Sequence, residues 1–366
     1  MIVSIIFWLS LGILGYTYIL YPVSLIILSS FKPKIKYNQE YLPTVSLIIA
    51  AYNEEHIIAK KIRNSLDLNY PKDKLEIIVF SDGSTDKTEN IVKKLGIKLL
   101  SYPDHPGKTA CQNQAIQEAK NEIIVFSDAN SIYDKNAIKE IVKPLQYDKI
   151  GVSVGSLNYN EKDQESLYWK FEKFLKEKES QLNSILGANG AIYALKKNNY
   201  IPLRPELISD FIEPLKILII KNKKTTYCPT AKAHEESTKS LKKDFKRKSR
   251  IILRSLNSLK EIKILFHPNK FPVLSYQLFW HKLMRWFSPI FLILLFLSNW
   301  YWQPSGGYQI FYKLQLCFYI SGIIGINFKL PIIKTIAYFL TINTAALKAI
   351  INFIIGKQAI TWTKQR

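Results

Sequence analysis

Ile123-Ile124-Val125-Phe126-Ser127-Asp128-Ala129-Asn130 is the stretch whose reading decides the fold. Four apolar residues, three of them β-branched, read as a buried strand that runs into a short polar corner carrying one carboxylate. In an α/β sheet, ligands bind at the carboxyl ends of the strands. Asp128 and Asn130, two residues apart, can both offer oxygen atoms to one hard divalent cation. The plainer reading is that Asp128 caps the next helix, with Asn130 and Ser131 as turn residues. Taken alone the stretch favours the cap, and the rest of the chain has to decide.

Upstream, the pattern repeats. Thr44 to Ala51 reads as a strand ending in Tyr52-Asn53-Glu54-Glu55, with a helix from Ile57 to Leu66. Leu75 to Phe80 is a second strand, ending in Ser81-Asp82-Gly83-Ser84-Thr85-Asp86, followed by a helix from Lys87 to Lys94. Ile97 to Leu100 is a third, and Lys108 to Ala119 a further helix. Strands alternating with helices imply an α/β fold with a mostly parallel sheet flanked by helices. It is not the dinucleotide fold, because no G-x-G-x-x-G follows the first strand. Gly107-Lys108-Thr109 resembles the tail of a phosphate loop, but Tyr102 stands where the leading glycine belongs.

The 366 residues suffice for about two domains. Hydrophobic residues make up 48%, more than a soluble domain needs, and they gather at the two ends. Ile2 to Leu28 carries no charge and is long enough to cross a hydrocarbon core of about 30 Å. A cleaved signal peptide would show a basic start and a shorter apolar core, so a retained helix over 1–30 is expected. Trp286–Trp302, Tyr308–Ile326 and Pro331–Ile355 read as three further spans, punctuated by Gln303–Gly307 and Asn327–Lys329. The expected division is therefore 1–30, a polar domain over 31–270, and an interfacial segment with about three membrane helices over 271–366. The net charge of +22 falls mostly in the polar domain. Beside membrane spans it fits anionic lipid better than nucleic acid, and no nucleic-acid partner is expected. The positive-inside rule then puts the domain in the cytoplasm, at the cell (inner) membrane. Three carboxyl-terminal crossings would leave Lys357, Lys364 and Arg366 outside, which points to one of the three being re-entrant or interfacial. Cys111, Cys228 and Cys317 are scattered and give no disulfide framework.

Asn53, Asp82 and Asp128 occupy corresponding strand ends, which a parallel sheet brings toward one pocket. As single residues they read as turn and cap chemistry. Lys108 would add a cation suited to an anionic substrate such as a diphosphate. Leu186-Gly187-Ala188-Asn189-Gly190-Ala191 is a small-residue loop that permits close backbone approach, or an ordinary tight turn. Asp210, at the start of a helix over Glu213 to Lys221, is the remaining carboxylate suited to a general base, although an Asp there is usually a cap. Lys239 to Arg254 carries eight Lys or Arg against one Asp, with Leu241, Phe245, Ile252 and Leu256 on one helical face. That is an amphipathic helix suited to a membrane surface, in which Arg247 and Arg250 share a face and could clamp a phosphate.

In this order the motifs resemble glycosyltransferase family 2, membrane-bound inverting transferases of GT-A fold, over about residues 42 to 290. Pro43 to Glu55 is similar to the family's nucleotide-binding strand, so Ala50, Tyr52, Asn53 and Glu54 are implied at the nucleotide sugar. Ser81 to Asp86 looks like the second motif, whose aspartate, here Asp82, contacts the base. Gly107-Lys108 resembles the glycine-lysine pair near the nucleotide. Asp128-Ala129-Asn130 stands where the family has its D-x-D metal motif, and Ser209-Asp210 resembles the motif that supplies the catalytic base. Two departures carry meaning. Asn130 replaces an acid, which implies weaker metal binding centred on Asp128. The Q-x-x-R-W segment reads Arg247-Lys248-Ser249-Arg250-Ile251, without its Gln and Trp, which favours transfer of one sugar over long-chain synthesis.

The resemblance thus implies a GT-A-like transferase using Mg²⁺ or Mn²⁺, a nucleotide diphosphate sugar donor and a saccharide or lipid-linked hydroxyl acceptor. Two rivals stand beside it. One is a polyprenyl-phosphate sugar transferase, which needs no general base. The other is a membrane-tethered module that binds nucleotide or lipid without turnover.

Overall fold

The computed structural model describes residues 2–33, 35, 37–159, 166–236, 240–302, 308–325 and 331–357. The breaks expected at 303–307 and 327–329, and Lys239, Lys364 and Arg366, lie outside the described residues. Eight strands among the described residues make one sheet. They are β1 (Val45–Ala51), β2 (Leu75–Ser81), β3 (Lys98–Ser101), β4 (Ile123–Asp128), β5 (Ile132–Tyr133), β6 (Ile150–Tyr159), β7 (Tyr193–Lys196) and β8 (Lys224–Glu235). Their order is β3-β2-β1-β4-β7-β6-β8-β5, and four of the seven pairings are parallel.

β1 is buried along its whole length, as a central parallel strand with both faces covered must be. Its alternation sorts the two cores. Val45, Leu47 and Ile49 pack with Ile58 and Ile62 of the Ile58–Leu66 helix. Ile48 and Ala50 pack on the other face with Cys111, Ala115 and Ile116 of the Lys108–Glu118 helix.

Connectivity then places the site. From β1 the chain steps outward to β2 and β3, and returns to set β4 on the other flank of β1. Such a switch point leaves a crevice at the carboxyl ends of β1 and β4. β7 enters antiparallel to β4, with Tyr193 opposite Phe126. The residues just before β7 therefore land beside Asp128. β6 and β8 run the same way as β4, so Glu235 at the end of β8 reaches the same edge.

Ile2–Ser30, Pro272–Trp302 and Ile332–Ile354 are long and apolar enough to cross a membrane. A shorter helix, Tyr308–Ile324, lies between the last two. The first two each contain one π-turn, Tyr16–Leu20 and Leu278–Leu283, and these meet: the Tyr16 ring lies 4.0 Å from Trp280, and the Tyr16 and Tyr276 hydroxyls are 3.0 Å apart. The second of these helices already begins at Pro272, so His281, Lys282 and Arg285 belong to the same helix as the apolar run from Trp286. The basic helix forms over Leu241–Ser258, but its apolar face is covered by protein rather than lipid. Ile252, Leu253 and Leu256 pack on Ala346, Ala349 and Ile350 of the last helix.

Gly155 sits where β6 shifts register against β8. A Cβ there would lie 2.5 Å from the Ala231 carbonyl oxygen and 2.7 Å from Ile192 Cγ2. Backbone cannot yield as a side-chain end can. Gly155→Ala is expected to cost about 1–3 kcal/mol of stability, read as a lowered thermal midpoint of the detergent-solubilised protein; an unchanged midpoint would show that the strands separate freely.

Candidate functional site

At the carboxyl end of β4, Asp128 has no helix to cap. The chain turns back through a Ser131 N–H to Asp128 carbonyl bond of 3.2 Å and enters β5 at once. Its side chain instead accepts an ion pair from the Lys108 ammonium, at the first turn of the Lys108–Glu118 helix. Gly107, at φ 93°, makes the bend that delivers Lys108. Gly190 closes on the pair: a Cβ there would stand 2.7 Å from Asp128 Oδ2 and 2.8 Å from Lys108 Nζ. Burial lowers the Lys108 pKa, but Asp128 and Asp210 outweigh it, and the net direction is up. Lys108 is a cation at any physiological pH.

Asp210 lies in the first turn of the Ser209–Lys221 helix and faces the same cavity. Its carbonyl accepts the Ala188 N–H at 2.6 Å. Gly187, at φ 97°, lets the loop pass Phe211, where a Cβ would meet ring and backbone at 3.1–3.2 Å. The Gly187–Gly190 segment is thus a spacer between Asp210 and Asp128, an approach of backbone to the chain's own acids. Burial pushes the Asp210 carboxyl above its usual range; Lys108 opposes this and Asp128 adds to it. Among its charged neighbours are also Arg254 and Lys176.

The cavity, about 670 Å³, is lined by Tyr52, Glu54, Lys108, Asp128, Asn130 and Asp210. Arg247 and Arg250 line it too. Arg247 reaches Asp244 at 3.0 Å, while Arg250 Nη1 is buried without a hydrogen bond among the described residues. Ala50, Asn53 and Asp82 are not among the lining residues. Ala50 offers only its carbonyl, to the Ala129 N–H at 3.0 Å. Asn53, in the left-handed region at φ 54°, accepts the Thr85 and Asp86 N–H groups at 2.8 and 3.3 Å. Fully buried Asp82 accepts the Gly107 N–H at 3.0 Å, and its carbonyl accepts His105 Nδ1–H at 2.6 Å. His105 in turn stacks on Tyr52 at 4.5 Å. In this structure Asn53 and Asp82 shape the loops that carry Tyr52 and Lys108.

Sequence reasoning missed two groups. Glu235, 7% exposed, lines the cavity and accepts the Ser131 hydroxyl at 2.5 Å. It was findable, being a carboxylate at a strand's carboxyl end like Asp128. Fully buried Lys61 donates to the Ser131 carbonyl at 2.5 Å and lies 3.6 Å from the Tyr133 ring centroid, bracing the polar corner from below. Burial lowers it to about 7, against the pull of Asp128 and Glu235. Nothing in the pattern of a surface-type helix marks Lys61 out.

Asp128 and Asn130 supply hard oxygen atoms, and the Asn130 amide nitrogen is buried without a partner among the described residues, so the amide is free to present its oxygen instead. The Lys108 ammonium already shows that a cation is held on Asp128. Among the described residues no three His, Cys, Asp or Glu cluster as a metal site. A divalent ion here would complete its shell from a ligand.

Residues 46–196 match the model of Glycosyl transferase family 2. The chain is 36% identical over 132 residues to a probable glycosyltransferase of Bacillus subtilis, covering 34% of this chain and 31% of that protein. It is 34% identical over 152 residues to a beta-monoglucosyldiacylglycerol synthase of Trichormus variabilis, covering 39% and 32%. The match spans about a third of the length of these curated relatives. Among solved structures, a mannosyltransferase from Pyrobaculum calidifontis, in complex with GDP-Man and Mn²⁺, superposes with a TM-score of 0.74 over 96% of this chain and 100% of that one, at 18% identity. That likeness is one of fold, GT-A-like.

Glu213, one turn beyond Asp210, accepts the Tyr193 hydroxyl at 3.0 Å and keeps a second oxygen buried and unpartnered. Burial raises it from 4.5 to about 8, so the folded state holds a proton that the unfolded chain releases across that window. Stability contributed by this proton is complete below the lower value and lost as pH rises toward the upper one. Glu213→Gln should flatten the thermal midpoint between about pH 5 and 8; a slope equal to the parent's would mean Glu213 is ionised in the folded state.

Proposed function

From a chain whose residues 46–196 belong to glycosyl transferase family 2, we propose a membrane-anchored inverting glycosyltransferase. It moves one sugar from a nucleotide diphosphate sugar to a hydroxyl acceptor, a cell-surface polysaccharide or glycolipid. The observation that carries this reading is one cavity shared by Lys108, Asp128 and Asp210 and continued by Tyr338 and Ile342 of a helix apolar enough to cross a membrane. A relative named for making beta-monoglucosyldiacylglycerol supports an acceptor of lipid character. Residues 1–30 and 271–366 anchor the chain, and residues 31–270 work on the cytoplasmic face of the cell (inner) membrane, where basic surface meets anionic lipid.

Lys108, Arg247 and Arg250 hold the diphosphate of the donor. Asp128 and Asn130 would hold Mg²⁺ or Mn²⁺, which when bound supplies neutralising charge at the diphosphate. Tyr52 and Glu54, on the loop braced by Asn53 and Asp82, line the nucleotide side. Asp210 accepts the proton of the acceptor hydroxyl while that oxygen bonds to the anomeric carbon. The bond from that carbon to the diphosphate oxygen breaks, and its electron pair leaves with the nucleotide diphosphate. Attack from the face opposite the leaving group inverts the centre.

Asp210→Asn should lower sugar transfer about 10²–10⁴-fold with nucleotide diphosphate binding retained; near-normal transfer would remove the base and favour a phosphate nucleophile. Because burial raises Asp210, transfer should fall with decreasing pH at a value above the ordinary ~3.9 of an aspartate. Asn130→Asp should lower the half-saturating Mn²⁺ concentration by roughly an order of magnitude, since a second carboxylate joins the site. Metal dependence unchanged by that substitution would make Asn130 a turn residue only.

A further inference from the structure

Near Asp210 the cavity holds a second set of charges, which the donor reading does not use. Lys176 of the Ser166–Leu182 helix and Lys282 of the Leu278–Leu283 π-turn both line it. Neither ammonium has a hydrogen-bond or ion-pair partner among the described residues. The acids nearby are already committed. Glu172 binds Arg285 at 2.5 Å and lies 3.4 Å from His281, and Glu179 holds His281 at 2.6 Å together with the Tyr21 hydroxyl. Asp210 has both Lys108 and Lys176 among its charged neighbours.

Beyond the lysines the wall turns aromatic and apolar. Arg285 lies 5.7 and 5.8 Å from the Tyr168 and Phe171 ring centroids, Tyr168 meets Tyr338 at 5.5 Å, and Tyr18 donates to Ser288 at 3.1 Å. These contacts bring together three helices long and apolar enough to cross a membrane.

We infer that the acceptor is an anionic membrane lipid with a free headgroup hydroxyl, its phosphate seated on Lys176 and Lys282, its hydroxyl at Asp210 and its acyl chains against Tyr18, Phe171 and Tyr338. This rests on the transferase reading and narrows its acceptor. Two unpartnered ammoniums inside a cavity call for an anion, and a phosphate takes charge-assisted bonds from both. A bilayer lipid supplies that anion joined to apolar chains, matching charge and surface in one molecule. Burial, with Lys282 beside it, lowers Lys176 to about 8, and a bound anion opposes that shift.

The test compares ligands of the full-length protein in detergent by thermal shift and by titration. Short-chain phosphatidylglycerol, which carries both phosphate and hydroxyl, should stabilise it, and the matching diacylglycerol, which carries only the hydroxyl, should not. The double substitution Lys176→Gln with Lys282→Gln should weaken phosphatidylglycerol binding about tenfold or more, and Lys176→Arg with Lys282→Arg should keep it. Equal stabilisation by diacylglycerol, or unchanged affinity in the Gln variant, overturns the inference. Inorganic phosphate as effective as the phospholipid overturns its lipid part. Nucleotide diphosphate with Mn²⁺ is titrated on the same preparations: its failure to bind the parent protein counts against the transferase reading, whatever the lipids do, and its retention in the Gln variant shows that the variant is folded.

Discussion

The ion pair between Lys108 and Asp128, closed over by Gly190, is the contact around which the cavity is built. The Asp128 side chain keeps only 23% of its surface exposed, and leaving it uncompensated would be costly. Lys108 meets that need, and the chain fixes the arrangement in three ways. A left-handed glycine delivers Lys108, an antiparallel strand brings a loop of small residues alongside, and Lys61 and Glu235 fix the corner from beneath. Asp210 hangs on the same loop through its carbonyl. Its position relative to Asp128 is therefore set by residues 187–190, where Gly187 and Gly190, without side chains, let the loop pass close to Phe211 and to the Asp128–Lys108 pair.

Much of this was legible because it is local. Alternating apolar strands, each ending in a polar corner, disclose an α/β sheet and the edge at which Asp128 sits, since period two and turn chemistry are properties of short windows. What the corner residues do with their side chains is not local. Asn53 and Asp82 occupy strand ends like that of Asp128, yet they turn to backbone N–H groups of the next loop, a choice made by the 85–86 and 105–107 segments. The cap reading of Asp128 failed for a similar reason: β5, rather than a helix, follows it. Glu235 repeats the strand-end signal but comes after a long excursion through β6 and β7, and only the sheet order shows that it shares the edge. Lys176 and Lys282 carry no local mark at all.

The helical part is more than an anchor. The basic Leu241–Ser258 helix has its apolar face on the last helix and its arginines at the cavity, so it joins the two halves. The reading of that helix as a lipid-facing element followed from its amphipathicity, which reports that one face is buried and is silent on what buries it. The π-turns have the same coupling role. Widening the helix by one residue redirects the side chains that follow, and at Leu278–Leu283 it presents His281 to acids on the Ser166–Leu182 helix and Lys282 to the cavity.

The junction of the two π-turns also has a meaning for the order in which the protein is made. Tyr16 and Tyr276 are 260 residues apart, and Tyr21 reaches Glu179 across 158. During synthesis the first helix leaves the ribosome long before either partner exists, while β1 to β4 can pair as they emerge. The Lys108–Asp128 side of the cavity can therefore form first, and the wall carrying His281, Lys282 and Arg285 arrives only with the Pro272–Trp302 helix. A nascent chain halted between these events would hold the Lys108–Asp128 side open to water without that wall, so docking of the first helix comes late in biogenesis.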